Sequence, residues 1–154
     1  MHIIEDTGQK IGQHIIKNDY FKENSISVIR NKLPFGDYAL PPRVAVDTKR
    51  DMDEIAGNIC GARTEHIRFK NECIRAKEAG CKLYFLIENE VGIDNIDKVH
   101  EWVNPRCVYN PDCVQGERLE KAMKTIQERY GCTFLFCKPE DSAGIIIKLL
   151  TGGD

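Results

Sequence analysis

Apolar and polar residues alternate along this chain with two periods, and the switches between them mark its elements. His2 to Asp6 reads as a short strand ending in acids, broken by Thr7-Gly8. A helical pattern follows from about Gln9 to Lys22, with Ile11 and Ile15 four apart on one face and Lys10, His14 and Lys17 on the others. Ser25 to Arg30 restarts a strand with β-branched residues. Pro34, Gly36 and the Pro41-Pro42 pair then punctuate the chain, and 37–40 and 43–46 become two arms of a hairpin turning at the prolines. Met52, Ile55, Ala56 and Ile59 fall at helical spacing behind the acids Asp51, Asp53 and Glu54, and Gly61 ends that helix. A longer helix spans about Arg63 to Ala79, with Phe69, Cys73 and Ala76 along one stripe and Gly80 closing it.

The second half alternates more regularly. Lys82 to Glu88 is a continuous apolar run suited to a central strand buried on both faces. A helix from about Ile93 to Val103 carries the single tryptophan, Trp102, and 104–113 is an irregular loop with two prolines. Leu119, Ala122, Met123, Ile126 and Tyr130 form the stripe of a helix from about Gln115 to Tyr130. A buried strand at 132–137, Pro139 as a first helical residue, and a last helix to about Leu150 complete the series, leaving 151–154 as a frayed tail. There is no internal repeat and no linker, so residues 1–154 read as one domain. The order of elements predicts an α/β sandwich with a mixed sheet.

Composition narrows the class. Apolar content of 42% and charged content of 30% are those of a globular domain with a real core. No apolar run is long enough to span a membrane, and charge appears by residue 5, so no secretory leader is expected and the cytoplasm is the default location. A net charge of −2 means that any polyanion must meet a local basic face. The best one begins at Arg63: between there and Lys82, six Lys/Arg and His66 face three Glu. The seven cysteines lack any CxxC pair. Cys107, Cys113, Cys132 and Cys137 would suffice for zinc only if they gathered, and regular elements claim the last two. Reduced thiols serving as small apolar residues is the favoured reading.

The chemistry concentrates between Leu33 and Asp53. Side chains two apart on a strand point the same way, so Asp47 and Lys49 share a face, opposite Val44 and Val46. Thr48 points its side chain away and leaves its carbonyl as a hard oxygen. Asp37, after Gly36 at a bend, is placed to converge on Asp47 if the arms pair. Glu5-Asp6 ends the first strand, where a third carboxylate can join.

Gly36-Asp37, Asp47-Thr48-Lys49 and Asp53, four residues after the lysine, match the GD…ERKxxxD signature of one family. The chain resembles the nuclease domain of the XPF/Hef structure-specific endonucleases, within the wider PD-(D/E)xK group. The likeness is good over about residues 2–90 and thin beyond. Asp47 replaces the family's Glu and Thr48 its Arg. Its initial DxRE reads Asp6-Thr7-Gly8-Gln9, so only the first acid is kept. The resemblance implies a restriction-endonuclease-like three-layer α/β/α sandwich. It also implies a stand-alone nuclease domain that hydrolyses phosphodiester bonds of DNA at structures or branch points, in repair or recombination. Asp37, Asp47 and the Thr48 carbonyl, with Asp6, would hold Mg²⁺ or Mn²⁺, and Lys49 would position water or neutralise charge on the phosphate. Asp53 would orient Lys49 or cap its helix. Lys10, His14, Arg50, His66 and Arg68 are candidates for the DNA backbone, each with a solvated surface charge as its alternative. A homodimer is consistent with the family.

Two other readings stay open. Thr48 and Gln9 suit a catalytically inactive nucleic-acid-binding module of the same fold, acting with a partner subunit. The cysteines suit a zinc or redox protein.

Overall fold

The computed structural model describes residues 1–40 and 44–152. The Pro41-Pro42 turn and Arg43, expected to join the hairpin, lie outside the described residues. The arms themselves pair as expected. β3 (Tyr38–Leu40) runs antiparallel to β4 (Val44–Lys49), with Tyr38 opposite Val46 and Leu40 opposite Val44.

Six strands form one mixed sheet in the order β2-β1-β3-β4-β5-β6. β1 (His2–Asp6) pairs in parallel with β2 (Ser27–Asn31) and antiparallel with β3, while β4, β5 (Lys82–Glu88) and β6 (Thr133–Cys137) are mutually parallel. Only β3 therefore runs against the rest. The carboxyl ends of the other five strands and the start of β3 meet at one edge, where Asp6, Asp37, Lys49 and Glu88 are found.

Alternation along the strands sends side chains to two cores. On one face Ala45, Leu83, Phe85, Ile87, Phe134 and Phe136 pack against α2 (Met52–Cys60), α3 (Arg63–Glu78) and α4 (Gly116–Tyr130). On the other, Ile3, Tyr38, Val46 and Leu86 meet Phe21 of α1 (Ile15–Glu23) and Ala143, Ile146 and Leu150 of α5 (Ser142–Thr151). The result is the expected three-layer α/β/α sandwich. β5 is its centre, with parallel neighbours on both sides and Leu83, Phe85, Leu86 and Ile87 fully buried. Phe69 of α3 stacks on Phe85 at 4.6 Å between centroids, and Phe85 on Phe134 at 5.2 Å, so an aromatic layer fixes α3 over the sheet.

Three expectations change. The first helix starts at Ile15 rather than Gln9, because Gly12 adopts φ +79 and the preceding segment forms turns. Ile11 and Ile15 then lie 86% and 64% exposed, and the helix buries Phe21 and, against its pattern, Lys17. The Lys17 ammonium is drawn inward by Glu88 at the end of β5, 2.8 Å away with both side chains almost fully buried. The segment carrying Trp102 is a 3₁₀ helix over Ile96–Glu101, with Trp102 as its cap. Finally, Cys107 and Cys113 are joined by a disulfide across Cα atoms 5.4 Å apart, so these two are not reduced thiols. Cys60, Cys73, Cys81, Cys132 and Cys137 are free.

Candidate active site at the carboxyl edge of the sheet

Gly36 makes the site possible. Its φ of +74 belongs to the left-handed region, and a Cβ there would sit 3.0 Å from that of Ala45. The chain thus bends tightly against β4. The Asp37 N–H donates to the Val46 carbonyl at 2.8 Å, and the Asp37 carbonyl accepts the Asp6 N–H at 2.7 Å. The bend aims the Asp37 carboxylate at the end of β4. There Oδ2 accepts both the Thr48 N–H, at 2.7 Å, and the Thr48 hydroxyl, at 3.0 Å. The Thr48 side chain therefore closes on Asp37 instead of facing away.

Asp47 and Lys49 share a face, as their spacing requires, on the side covered by α2 and α3. The Lys49 ammonium lies 2.7 Å from Asp47 Oδ1 and 5.8 Å from the centroid of Phe85. It sits off the line of a hydrogen bond, so Oδ1 is buried without an aligned donor. A further acid completes the cluster. Glu72, on α3, accepts the Gly36 N–H at 2.8 Å and lies against Asp47.

Three carboxylates around one ammonium leave an excess of buried negative charge. Burial pushes the Asp37 carboxyl up to about 7, and the Asp47 charge adds to the shift, against the Thr48 hydrogen bonds and Lys49. Burial likewise pushes Glu72 up to about 8, reinforced by the charge of Asp47 and a hydrogen bond to it. Burial pulls the Lys49 ammonium down, but Asp47, with Glu72 and Asp37 behind it, more than compensates and holds it above the ordinary lysine value. A cavity of about 320 Å³, lined by Lys49, Glu72, Arg68 and Arg75 among others, opens this cluster to solvent.

A divalent cation suits this donor set. The oxygens are hard, Asp47 Oδ1 is buried with the Lys49 ammonium beside it, and burial raises two of the carboxyls, a shift that a cation would oppose. Among the described residues, no three His, Cys, Asp or Glu side chains already converge as a metal cage. The Lys49 ammonium stands among the acids instead.

The remaining sequence candidates are spread more widely. Asp6 does not join the cluster through its side chain. Its carboxylate accepts the Gly8 N–H at 3.0 Å and the Leu33 N–H at 2.8 Å, pinning two loops. Asp53 neither orients Lys49 nor caps α2. It forms a bidentate pair with Arg106 at 2.9 and 3.0 Å, and the cap is Asp51, which accepts the Glu54 N–H. Arg68 is exposed at the mouth of the Lys49–Glu72 cavity and pairs with Glu65. Arg50 pairs with Asp51 and Glu54, and His14 lines a cavity with Thr48, Lys17 and Glu88 on the α1 side. Burial and the Lys17 charge lower the His14 pKa. Lys10 is exposed on the turn before α1. His66 faces away from the acids, its Nδ1 2.8 Å from the Ile59 carbonyl, in a groove between α3 and α4.

Sequence reasoning missed Glu72. Its one signal is position: it lies three residues after buried Phe69 and next to buried Cys73, at the margin of the stripe that packs on the sheet.

Comparison with known proteins agrees with this architecture. The structure of XPF from Aeropyrum pernix superposes with a TM-score of 0.67 at 18% identity, over 98% of this chain and 60% of that one. The same protein in complex with DNA gives 0.68 at 18% identity, over 97% of this chain and 63% of that one. The chain thus spans about three fifths of the length of the structures it matches. No curated protein matches it. The sequence profile of the ERCC4 domain matches residues 5–150, nearly the whole chain. With the fold, the bend at Gly36-Asp37 and the Asp47-Thr48-Lys49 strand end all in place, this chain belongs to the ERCC4 domain family.

Proposed function

We propose that this chain is a divalent-metal-dependent DNA endonuclease that hydrolyses phosphodiester bonds at branched or otherwise structured DNA, in repair or recombination. The observation that carries the reading is the packing of Asp37, Asp47 and Glu72 around Lys49 at the carboxyl edge of the sheet. Membership of the ERCC4 family and the DNA complex of a fold relative support the substrate class.

Asp37, Asp47 and the Thr48 carbonyl would hold Mg²⁺ or Mn²⁺, with Glu72 fixing Asp47 from α3. Bound there, the metal supplies Lewis acidity and a water of lowered pKa. The protein supplies the rest. Lys49, kept protonated by the acids around it, offsets charge developing on the phosphate. The Thr48 N–H and hydroxyl fix the rotamer of Asp37. Glu72 holds or releases a proton beside Asp47 as the local charge changes. Arg68, at the mouth of the cavity, meets the incoming backbone.

The test is a panel of flap, forked, nicked and linear DNAs incubated with Mn²⁺ or Mg²⁺. Cleavage is expected on the branched members. Asp47→Ala and Lys49→Ala should abolish it with their thermal unfolding intact. Full cleavage by both variants would sink the reading.

One observation favours a second reading, a DNA-binding module without catalysis. Lys49 already contacts Asp47, and Thr48 already satisfies one oxygen of Asp37. That reading predicts binding of the same DNAs with no cleavage under either metal.

A further inference from the structure

A groove of about 580 Å³ lies outside the acidic site, between α3 and α4. Arg63, His66 and Lys70 line one bank, spaced three and four residues apart on α3. Arg118, Lys121 and Arg129 line the other, on one face of α4. All six are exposed. Among the described residues, no carboxylate lines the groove. Among the described residues, none of the five permanent cations is in an ion pair, whereas Arg50, Arg68, Arg106 and Lys124 each are. In a chain of net charge −2, this is a concentrated and uncompensated positive field. The buried Phe69 and Ile126 and the half-buried Tyr130 add an apolar and aromatic part to the lining.

We infer that this groove is a second nucleic-acid site that holds a single strand. The charge calls for a uniform polyanion, and the dimensions select among polyanions. The groove is a cleft of only about 580 Å³. A duplex is broader than its own major groove, itself about 12 Å wide, and is too broad to enter a cleft of that volume. One strand is not. The basic bank from Arg118 to Arg129 extends about 16 Å along the helix axis, enough for a few nucleotides. A cationic channel with an aromatic face is how single strands are held without regard to sequence. The groove also borders the acidic site: Phe69 lines both it and the cavity that opens at Lys49 and Glu72. Resting on the proposed endonuclease function, this assigns the groove to an unpaired arm of the branched substrate, with α3 between that arm and the scissile strand.

The test separates binding from cleavage. The full chain carrying Asp47→Ala, in EDTA, is titrated against fluorescent oligo-dT at several salt concentrations and followed by anisotropy. Adding Arg118→Ala and Lys121→Ala should weaken binding at least tenfold. It should also lower the log–log salt slope by about 1.4, two phosphate contacts at about 0.7 each. Adding Lys148→Ala, on α5, should change neither. Equal affinity and slope in the groove and α5 variants would overturn the proposal. So would poly-glutamate competing as well as oligo-dT of equal charge, which would assign the groove to an acidic protein surface. A wild-type chain that binds through the groove but cuts nothing with Mn²⁺ would refute the nuclease reading and leave the groove standing.

Discussion

The Glu72 carboxyl of α3 lies against the Asp47 carboxylate at the end of β4, and it is anchored there by the Gly36 N–H at 2.8 Å. One residue thus ties the covering helix, the glycine bend and the candidate metal ligand together. Glu72→Gln keeps an acceptor for Gly36 but removes a negative charge. It is expected to weaken Mn²⁺ binding about 10–100-fold, as loss of an outer-shell partner does. Calorimetric titration with Mn²⁺ measures this directly. Unchanged affinity would take Glu72 out of the site.

The same acids set a pH dependence for the metal-free protein. The folded pKa values of Asp37 and Glu72 are raised to about 7 and about 8, from ordinary values of 3.8 and 4.5. The folded chain therefore keeps protons that the unfolded chain has released, and stability falls as pH rises through this window. Tm should therefore be lower at pH 8 than at pH 5. Mn²⁺ should raise Tm more at pH 8 than at pH 6. Thermal unfolding at the two pH values, with and without metal, checks both signs.

Asp6 and Asp53 should separate cleanly from the active acids. Asp6→Ala leaves the Gly8 and Leu33 N–H groups without their acceptor, costing about 1–3 kcal/mol, with Mn²⁺ affinity preserved. Asp53→Ala breaks a surface pair with Arg106 and should cost less than about 1 kcal/mol, with cleavage preserved. Denaturant melts paired with Mn²⁺ titration and cleavage rates are the measurements. Loss of metal binding in Asp6→Ala would return that residue to the ligand set.

The Lys17–Glu88 pair, on the α1 side of the same sheet edge, gives a stability prediction. Removing either partner strands a buried charge, and Lys17→Met or Glu88→Leu alone should cost about 3–5 kcal/mol. The double variant should recover most of that, because two apolar side chains at the same place leave no charge uncompensated. A double-mutant cycle by urea melts reads the coupling. Additive single effects would show that the pair is not energetically linked.

Much of this was legible in the sequence, for reasons that can be named. Period-two alternation placed Asp47 and Lys49 on one face, and Gly36 before Asp37 marked the bend, so the strand-borne half of the site followed from local rules. Long, well-marked helices such as α3 and α4 were readable from their stripes and terminal glycines. The contribution of Glu72 was not, because it depends on how α3 is rotated over Phe85, a tertiary fact that periodicity alone leaves open to within a residue. Lys17 was misread for a related reason. Apolar spacing put Ile11 and Ile15 inward, but Gly12 shortened the helix, and the Glu88 carboxylate, 71 residues away, drew a charged side chain into the core. The Cys107–Cys113 bridge closes a short loop without a CxxC signature. The groove cations lie on two helices some 50 residues apart, and packing alone brings them face to face.

The proposed role of the acids around Lys49 is metal-dependent phosphodiester hydrolysis. Its most direct test is the single-turnover cleavage rate of one forked DNA with Mn²⁺, for the wild-type chain beside Asp47→Ala and Lys49→Ala. Cleavage is expected that EDTA abolishes and that each substitution slows by about 10²-fold or more, with folding unchanged. Equal rates for all three chains, or cleavage that persists in EDTA, would contradict it.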